Sequence, residues 1–505
     1  MNSGSVVLKV NGTTQTPTVS SASGVTTIKQ PAPAALWPQG TNTVELSFND
    51  SANTSYDYKY IFVVQPYVTL DASQSVPLGK QDTTQPGFVL HVTQMDFGQV
   101  GQTGFGLPNQ ADAAIGVVSG LFFPYFGSNA ANVLNTYGTN VAANASNEWN
   151  WTSAILFNAN GPANSIGDYA ASNYFLVPGI PGAFGTNNLG GNQYNNYAMM
   201  IQTWVAFPTA GIYQMDFNSD DGFRVWEGWG PSRQVLHVSG TGVNMDVGCT
   251  VSSTLYGNGG FAPPLPVVPI SAPVVVVASN TPLSSISGKI AVVNQGEFGL
   301  SSGPLTYFMQ TNGALAAVLI TPASSGFPGV NNSAPAGGAK VTIPSLRVAS
   351  FNGAADWATN ANLTATIGAS QSIILGSADY GKGRSEITSG FNVPSPGVYP
   401  LSAIYFQGGG GAGAEWTTIT PDGNRHLVND TTDPSSVLAY RAVTVIVVPP
   451  PTLNVGKQGN SWVLTYTGTL YSSSTVNGTY APVPGASSPY TIPANTLLQF
   501  YRAHQ

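Results

Sequence analysis

An acidic turn between two alternating strands constrains this chain most. Gly211-Ile212-Tyr213-Gln214-Met215-Asp216-Phe217 reads as a strand, and Asn218-Ser219-Asp220-Asp221-Gly222 as a turn. Phe223-Arg224-Val225-Trp226 then resumes a strand. The run Met199 to Phe207, closed by Pro208, supplies another strand just upstream. Similar short runs recur along 505 residues, a length that calls for three to five domains at about 100–200 residues each. The expected fold class is mainly β, a multidomain set of antiparallel β-sandwiches with one small α/β insertion.

The segments divide by pattern. Residues 1–65 read as an immunoglobulin-like module, incomplete because about three strands are visible against the seven of a full sandwich. They are Val6 to Val10, ended by the turn pair Asn11-Gly12, then Val44 to Phe48, then Tyr58 to Val64. Residues 66–147 read as a connector packed on the central domain. It holds a strand at Phe88 to Val92, a short helix at Ala111 to Gly120 and an aromatic cluster at Phe122 to Phe126. Residues 148–262 form the first half of a sandwich. Residues 263–372 change character: Val274 to Val277 and Ile290 to Val293 are continuous apolar runs, as in strands buried on both faces. A helix is predicted between Pro304 and Asn312, running into a strand by Ile320. Residues 373–447 return to antiparallel signals. Pro449-Pro450-Pro451 reads as a stiff linker to a small β module at 452–505, with Trp462-Val463-Leu464, Tyr480 and Phe500-Tyr501 in its core.

Three stretches carry a family resemblance. The strands around Ser219-Asp220-Asp221-Gly222, with Gly397-Val398-Tyr399-Pro400-Leu401 through the glycine run to Glu415-Trp416, resemble the protective-antigen-type β-sandwich domain. Val177 to Gly182 and Pro421-Asp422-Gly423 are similar to repeats of large secreted bacterial surface proteins with flanking immunoglobulin-like modules. Ser287 to Val293, Gly313 to Val318 and Ile343-Pro344 resemble the protease-associated domain, without the cysteine often found near its first strand. The resemblance implies a sandwich in two halves, 148–262 and 373–447, around a protease-associated-like insertion. It further implies that Asp220 and Asp221 ligate calcium through a cis peptide, and that the calcium contacts sugar. The residues themselves leave a second reading open. Asp-Asp-Gly is also an ordinary turn whose side chains accept backbone N–H groups. Asn218, Trp226, Trp229, Glu415 and Trp416 are the candidate ligand-binding residues, the indoles as faces for sugar rings or as core.

Charge narrows the function. Only 7% of residues are charged, against about 25% in ordinary soluble proteins, so the surface is built from Asn, Ser, Thr, Gln and Gly. Such a surface suits extracellular packing on polysaccharide or on copies of itself. The net charge of −7, with no Lys/Arg cluster, excludes a nucleic-acid footprint. A single cysteine, Cys249, excludes a disulfide framework and a Cys-based zinc site. No apolar run reaches the roughly 18 residues of a membrane span. The first residues lack signal-peptide features, and we expect a processed piece of a longer secreted polypeptide.

Catalysis lacks parts. His91, His237, His426 and His504 are scattered, and Gly299-Leu300-Ser301-Ser302-Gly303 follows its strand too late for a nucleophile elbow. The carboxylate pairs Asp216 with Glu227 and Asp221 with Glu415 have no support from the fold as glycosidase pairs. No enzyme activity is expected. The expected function is a secreted cell-surface or matrix protein binding glycan or a partner. The alternatives are a self-assembling fibre or layer subunit and the binding portion of a larger secreted hydrolase.

Overall fold

The computed structural model describes the chain apart from residues 31–38, 65–66, 95–106, 108, 122–133, 137–147, 159–166, 170–175, 179–196, 232–234, 241, 254–259, 322–333, 350–361, 370–371, 410, 445–451, 495–497 and 505. The aromatic cluster at 122–126, the stretch 179–182 and the triproline lie outside the described residues. Two compact units emerge, Met1–Val443 and Thr444–Gln505. The protein is mainly β, with antiparallel sheets throughout and one parallel core.

The first sheet has four strands: β1 (Val7–Val10), β2 (Thr13–Thr14), β3 (Gly40–Asn49) and β4 (Ser55–Val64), in the order β2-β1-β3-β4. Val10 is buried, but β4 is exposed over most of its length, so this sheet covers little core among the described residues.

The central sandwich has two layers. Its larger sheet contains β5 (Phe88–Gln94), β6 (Tyr197–Phe207), β8 (Gly222–Glu227), β9 (Ile374–Ala378) and β11 (Gly397–Gln407). The order is 149–151, β5, β6, β11, β8, β9. The facing sheet runs 156–158, β12 (Gly413–Ile419), β7 (Gly211–Asp220), β10 (Ser385–Val393), 68–69, with β13 (Arg425–Leu427) beside β12. Period-two alternation sends Met215, Phe217, Phe223, Val225 and Trp416 into one shared core with Phe88, Leu90 and Tyr405. The stretch read as a connector therefore supplies a full strand, β5, paired with β6 from Tyr197↔Gln94 to Gln202↔Val89.

The opposite face of the larger sheet is covered by α1 (Ala111–Val118). Ala198, Met200, Trp226, Ile404 and Phe406 pack there against Ala111, Ala114 and Ile115. The Gln110 side chain ties this helix to Val251 by two hydrogen bonds, both at 2.9 Å.

The α/β element is an eight-stranded sheet. Its strands 270–277, 290–294, 316–321 and 345–349 are parallel neighbours, and α2 (Ser302–Thr311) packs on it through Leu305 and Met309. The sheet also recruits 236–240, 243–246 and 249–251, residues that the sequence reading placed in the sandwich. The C-terminal unit consists of two three-stranded sheets around Leu464, Tyr466 and Leu470. Val463 and Leu464 are buried as expected, but Trp462, also expected in the core, is 51% exposed, with the Lys457 ammonium over its ring.

Candidate functional site

The turn between β7 and β8 is held almost entirely by protein donors. The Asp220–Asp221 peptide is cis. Asp221 Oδ1 accepts the Lys382 backbone N–H at 3.1 Å, and Oδ2 accepts that of Gly408 at 2.9 Å. The Asp221 N–H donates to Gln407 Oε1, Ser219 Oγ donates to the Asp221 carbonyl, and the Tyr405 hydroxyl donates to the Asp220 carbonyl. Burial pushes the Asp221 carboxyl up while these N–H groups pull it down. Asp220 is pushed up to about 6, first by burial and then by the Asp221 charge, against Arg384 and Lys382. Burial also lowers the Lys382 ammonium to about 8, although three nearby carboxylates favour its charge. A calcium ion held by both carboxylates would share the Asp221 oxygens with the Lys382 and Gly408 N–H groups. The turn thus has the side-chain-to-backbone hydrogen bonds of an ordinary Asp-Asp-Gly turn, together with the cis peptide named by the resemblance.

Beyond the turn, alternation puts Asp216, Asn218 and Asp220 on the outer face of β7. Register places Asn218 between Glu415 on β12 and Glu386 on β10. A strap, residues 167–169, lies over this face. Asp168 and Tyr169 donate their backbone N–H groups to the Glu415 carboxylate at 3.0 and 3.1 Å. Gly167 is required there, because a Cβ would fall 2.2 Å from Glu415 Oε1 and 2.8 Å from Asn218 Nδ2. Glu415 is thus a buried anchor for the strap rather than an open ligand group. Asp216 is pushed up to about 7 by burial and by the neighbouring Glu386 carboxylate, against the pull of Arg425.

The aromatic candidates separate. Trp226 and Trp416 are 1% and 0% exposed, so the expectation that they offer faces to sugar is corrected. Trp416 points into the sandwich core, and Trp226 points out of the sheet but beneath α1. Trp229 is 43% exposed. It lies past the far end of β8, roughly 20 Å from the Asp pair at ~3.3 Å per residue, so the two do not share a site. There it stacks on half-buried Trp204, with centroids 6.0 Å apart and planes at 26°. With its amide oriented to accept, Gln202 takes the Gly230 N–H at 2.8 Å and the Trp229 indole N–H at 3.3 Å. Sequence reasoning missed Trp204, which looked like one more residue of a buried strand.

It also missed a buried ion triad. Arg224 Nη1 meets Asp112 Oδ1 at 2.7 Å, and Nη2 meets Asp379 Oδ2 at 2.9 Å. The triad borders a cavity of about 360 Å³ lined by Val235, Pro264, Leu265, Ile374 and Tyr380, between the sandwich and the α/β sheet. No motif announces three residues so far apart in sequence.

No family model matches this chain, and no curated protein matches it. Solved structures do. The A domain of epithelial adhesin 9 from Candida glabrata, in complex with Galβ1-4GlcNAc, matches over 74% of this chain and 96% of that one, at 8% identity and a TM-score of 0.24. A zinc aminopeptidase from Bacillus subtilis matches over 36% of each chain at 15% identity and a TM-score of 0.19. An aminopeptidase from Aneurinibacillus sp. strain AM-1 matches over 35% of this chain and 37% of that one, at 16% identity and a TM-score of 0.19. This chain thus spans little more than a third of the length of these peptidases. Their presence overturns the expectation that the chain is not an enzyme, and it is not classed as non-catalytic. At such TM-scores they assign it no reaction either.

Proposed function

We propose that this chain is a secreted cell-surface protein whose central sandwich recognises glycan, with the Trp204–Trp229 pair as the sugar platform. The carrying observation is the pair itself: a large indole face left 43% exposed and braced by a second indole at 6.0 Å. Indole faces stack on the C–H faces of sugars, and a braced ring loses little entropy on binding. The weakly charged surface favours a neutral, hydroxylated ligand over an ionic one. The division into a protective-antigen-type sandwich around a protease-associated-like insertion, with an immunoglobulin-like module before it, belongs to the same reading. No helix among the described residues is long and apolar enough to cross a membrane.

A glycan array followed by calorimetry on the best sugar tests this. Trp229→Ala is expected to weaken binding about tenfold or more, the loss typical of a central aromatic contact, with the thermal midpoint little changed. Equal affinity of the variant and the parent would remove the platform.

One observation favours assembly as a second reading. β4 ends the order of its sheet, and along it Tyr56, Tyr58 and Tyr60 are exposed; Phe48 stacks with Tyr56 at 5.4 Å and with Tyr58 at 5.9 Å, and Tyr58 with Tyr60 at 6.3 Å. A ten-residue edge with an aromatic ladder is a surface for strand addition by a second copy. Electron microscopy of purified protein is expected to show filaments or sheets that are lost in Tyr58→Pro. Monodisperse particles at all concentrations would dismiss this reading.

A further inference from the structure

The outer face of β7 holds more buried acceptor oxygens than the protein satisfies. Neither carboxylate oxygen of Asp216 has a hydrogen-bond partner, nor does Asn218 Oδ1, nor Thr417 Oγ1. These residues are 2%, 7% and 1% exposed. They are neighbours: Asp216 and Asn218 alternate on one strand face, and Thr417 lies opposite Asp216 on β12. Buried polar groups are rarely left without a partner, so three such side chains together call for a missing one. That partner must donate or carry positive charge, because a carboxylate and an amide oxygen only accept.

The surroundings specify a cation. Carboxylate oxygens of Asp168, Asp216 and Glu386 all lie within 4.8 Å of one another. Arg425 is the cation in direct contact. Its Nε is 2.9 Å from Asp168 Oδ2 and its Nη2 is 2.8 Å from Glu386 Oε2, but Nε stands 3.6 Å from Asp216 Oδ2. It reaches the two outer carboxylates and leaves the buried one without a hydrogen bond. Three carboxylates face one guanidinium there, an excess of acceptor oxygens and negative charge that a divalent ion complements. All the donors are hard oxygens, with no histidine or cysteine among them, and an all-protein set of oxygens suits calcium better than magnesium, which keeps several waters.

We propose that Asp168, Asp216 and Glu386, with the side-chain oxygen of Asn218, bind a calcium-type divalent cation beneath the strap 167–169. The site is separate from the Asp220–Asp221 turn and independent of the glycan reading. The ion locks the strap to the sheet, since Asp168 belongs to the strap while Asp216 and Asn218 belong to β7.

The test is calcium titration of the chelator-stripped full chain by calorimetry, with terbium luminescence as a second readout. Saturable binding is expected below about 1 mM, the range of extracellular calcium modules. Glu386→Gln and Asp168→Asn should each weaken it at least about tenfold, as loss of one charged ligand does, while Asp220→Asn leaves it within about twofold. Both weakening variants are at exposed side chains, 46% and 43%, so they are expected to fold, and a melt in chelator checks this. No saturable binding at about 10 mM calcium overturns the proposal. So does any pattern in which Asp220→Asn weakens binding or Glu386→Gln does not.

Discussion

Asp221→Ala is expected to lower the unfolding free energy of the 1–443 unit by about 2 kcal/mol. The buried carboxylate accepts the backbone N–H groups of Lys382 and Gly408, and removing it leaves these two half-buried donors without their acceptor. Each such orphan costs about 1–3 kcal/mol. The loss is also topological. Lys382 belongs to the loop before β10 and Gly408 to the loop after β11, so one side chain fastens both sheets of the sandwich at the same end. Asp221→Asn should be nearly as damaging, because one of its two oxygens becomes an amide donor facing N–H groups. Asp220→Ala, whose carboxylate is partly exposed, is expected to cost under about 1 kcal/mol. Urea titration of the three variants, followed by tryptophan fluorescence, checks the ranking. If Asp220→Ala proves the more costly, the turn is not held in the way the hydrogen bonds indicate.

Much of this corner was legible in the sequence. Period two in Gly211–Phe217 fixes which side chains enter the core, and the Asp-Asp-Gly stop marks the turn. The role of Gly222 was not legible. It looks like a turn glycine, yet its φ is unexceptional, and it is glycine because a Cβ would meet Ala378 O at 2.2 Å and the Phe406 ring at 2.4 Å. The indoles show the same limit. Trp226 and Trp229 stand three residues apart, one under a helix and one in solvent, because α1 covers the sheet only as far as Trp226. Local pattern shows that a strand has two faces. It does not show that α1 lies on one of them or that residues 167–169 lie over β7, since both coverings come from elsewhere in the chain. The strands 236–251 went to the wrong sheet for the same reason: their pattern reads as β, and their partners at 364–367 and 345–349 lie far downstream.

The ion triad is the severest case of such distant pairing, and it carries the second large expected effect. Arg224 and Trp226 share the outer face of β8, where α1 buries them. Asp112 sits in the first turn of that helix, and Asp379 accepts the Ala111 N–H at the helix start, where the Gln110 side chain gives no cap. The two carboxylates therefore hold the N-terminus of α1, and Arg224 neutralises both from below. The side chains of Arg224 and Asp112 are 5% and 2% exposed. Burial raises the Asp379 carboxyl, and Arg224 opposes that rise before any other group. Arg224→Met removes the positive charge and leaves two carboxylates buried near each other, an arrangement that costs about 3–5 kcal/mol. Arg224→Lys should recover only part of this, because a point charge cannot reach two carboxylates at once. Combining Arg224→Met with Asp112→Leu and Asp379→Leu should restore most of the loss, since an apolar cluster of similar volume needs no counter-charge. Denaturant midpoints measure the cost, and hydrogen exchange over 111–118 locates it. Faster exchange there in Arg224→Met than in the triple variant is the expected signature. A single variant within about 1 kcal/mol of the parent would mean that the triad positions α1 without holding it.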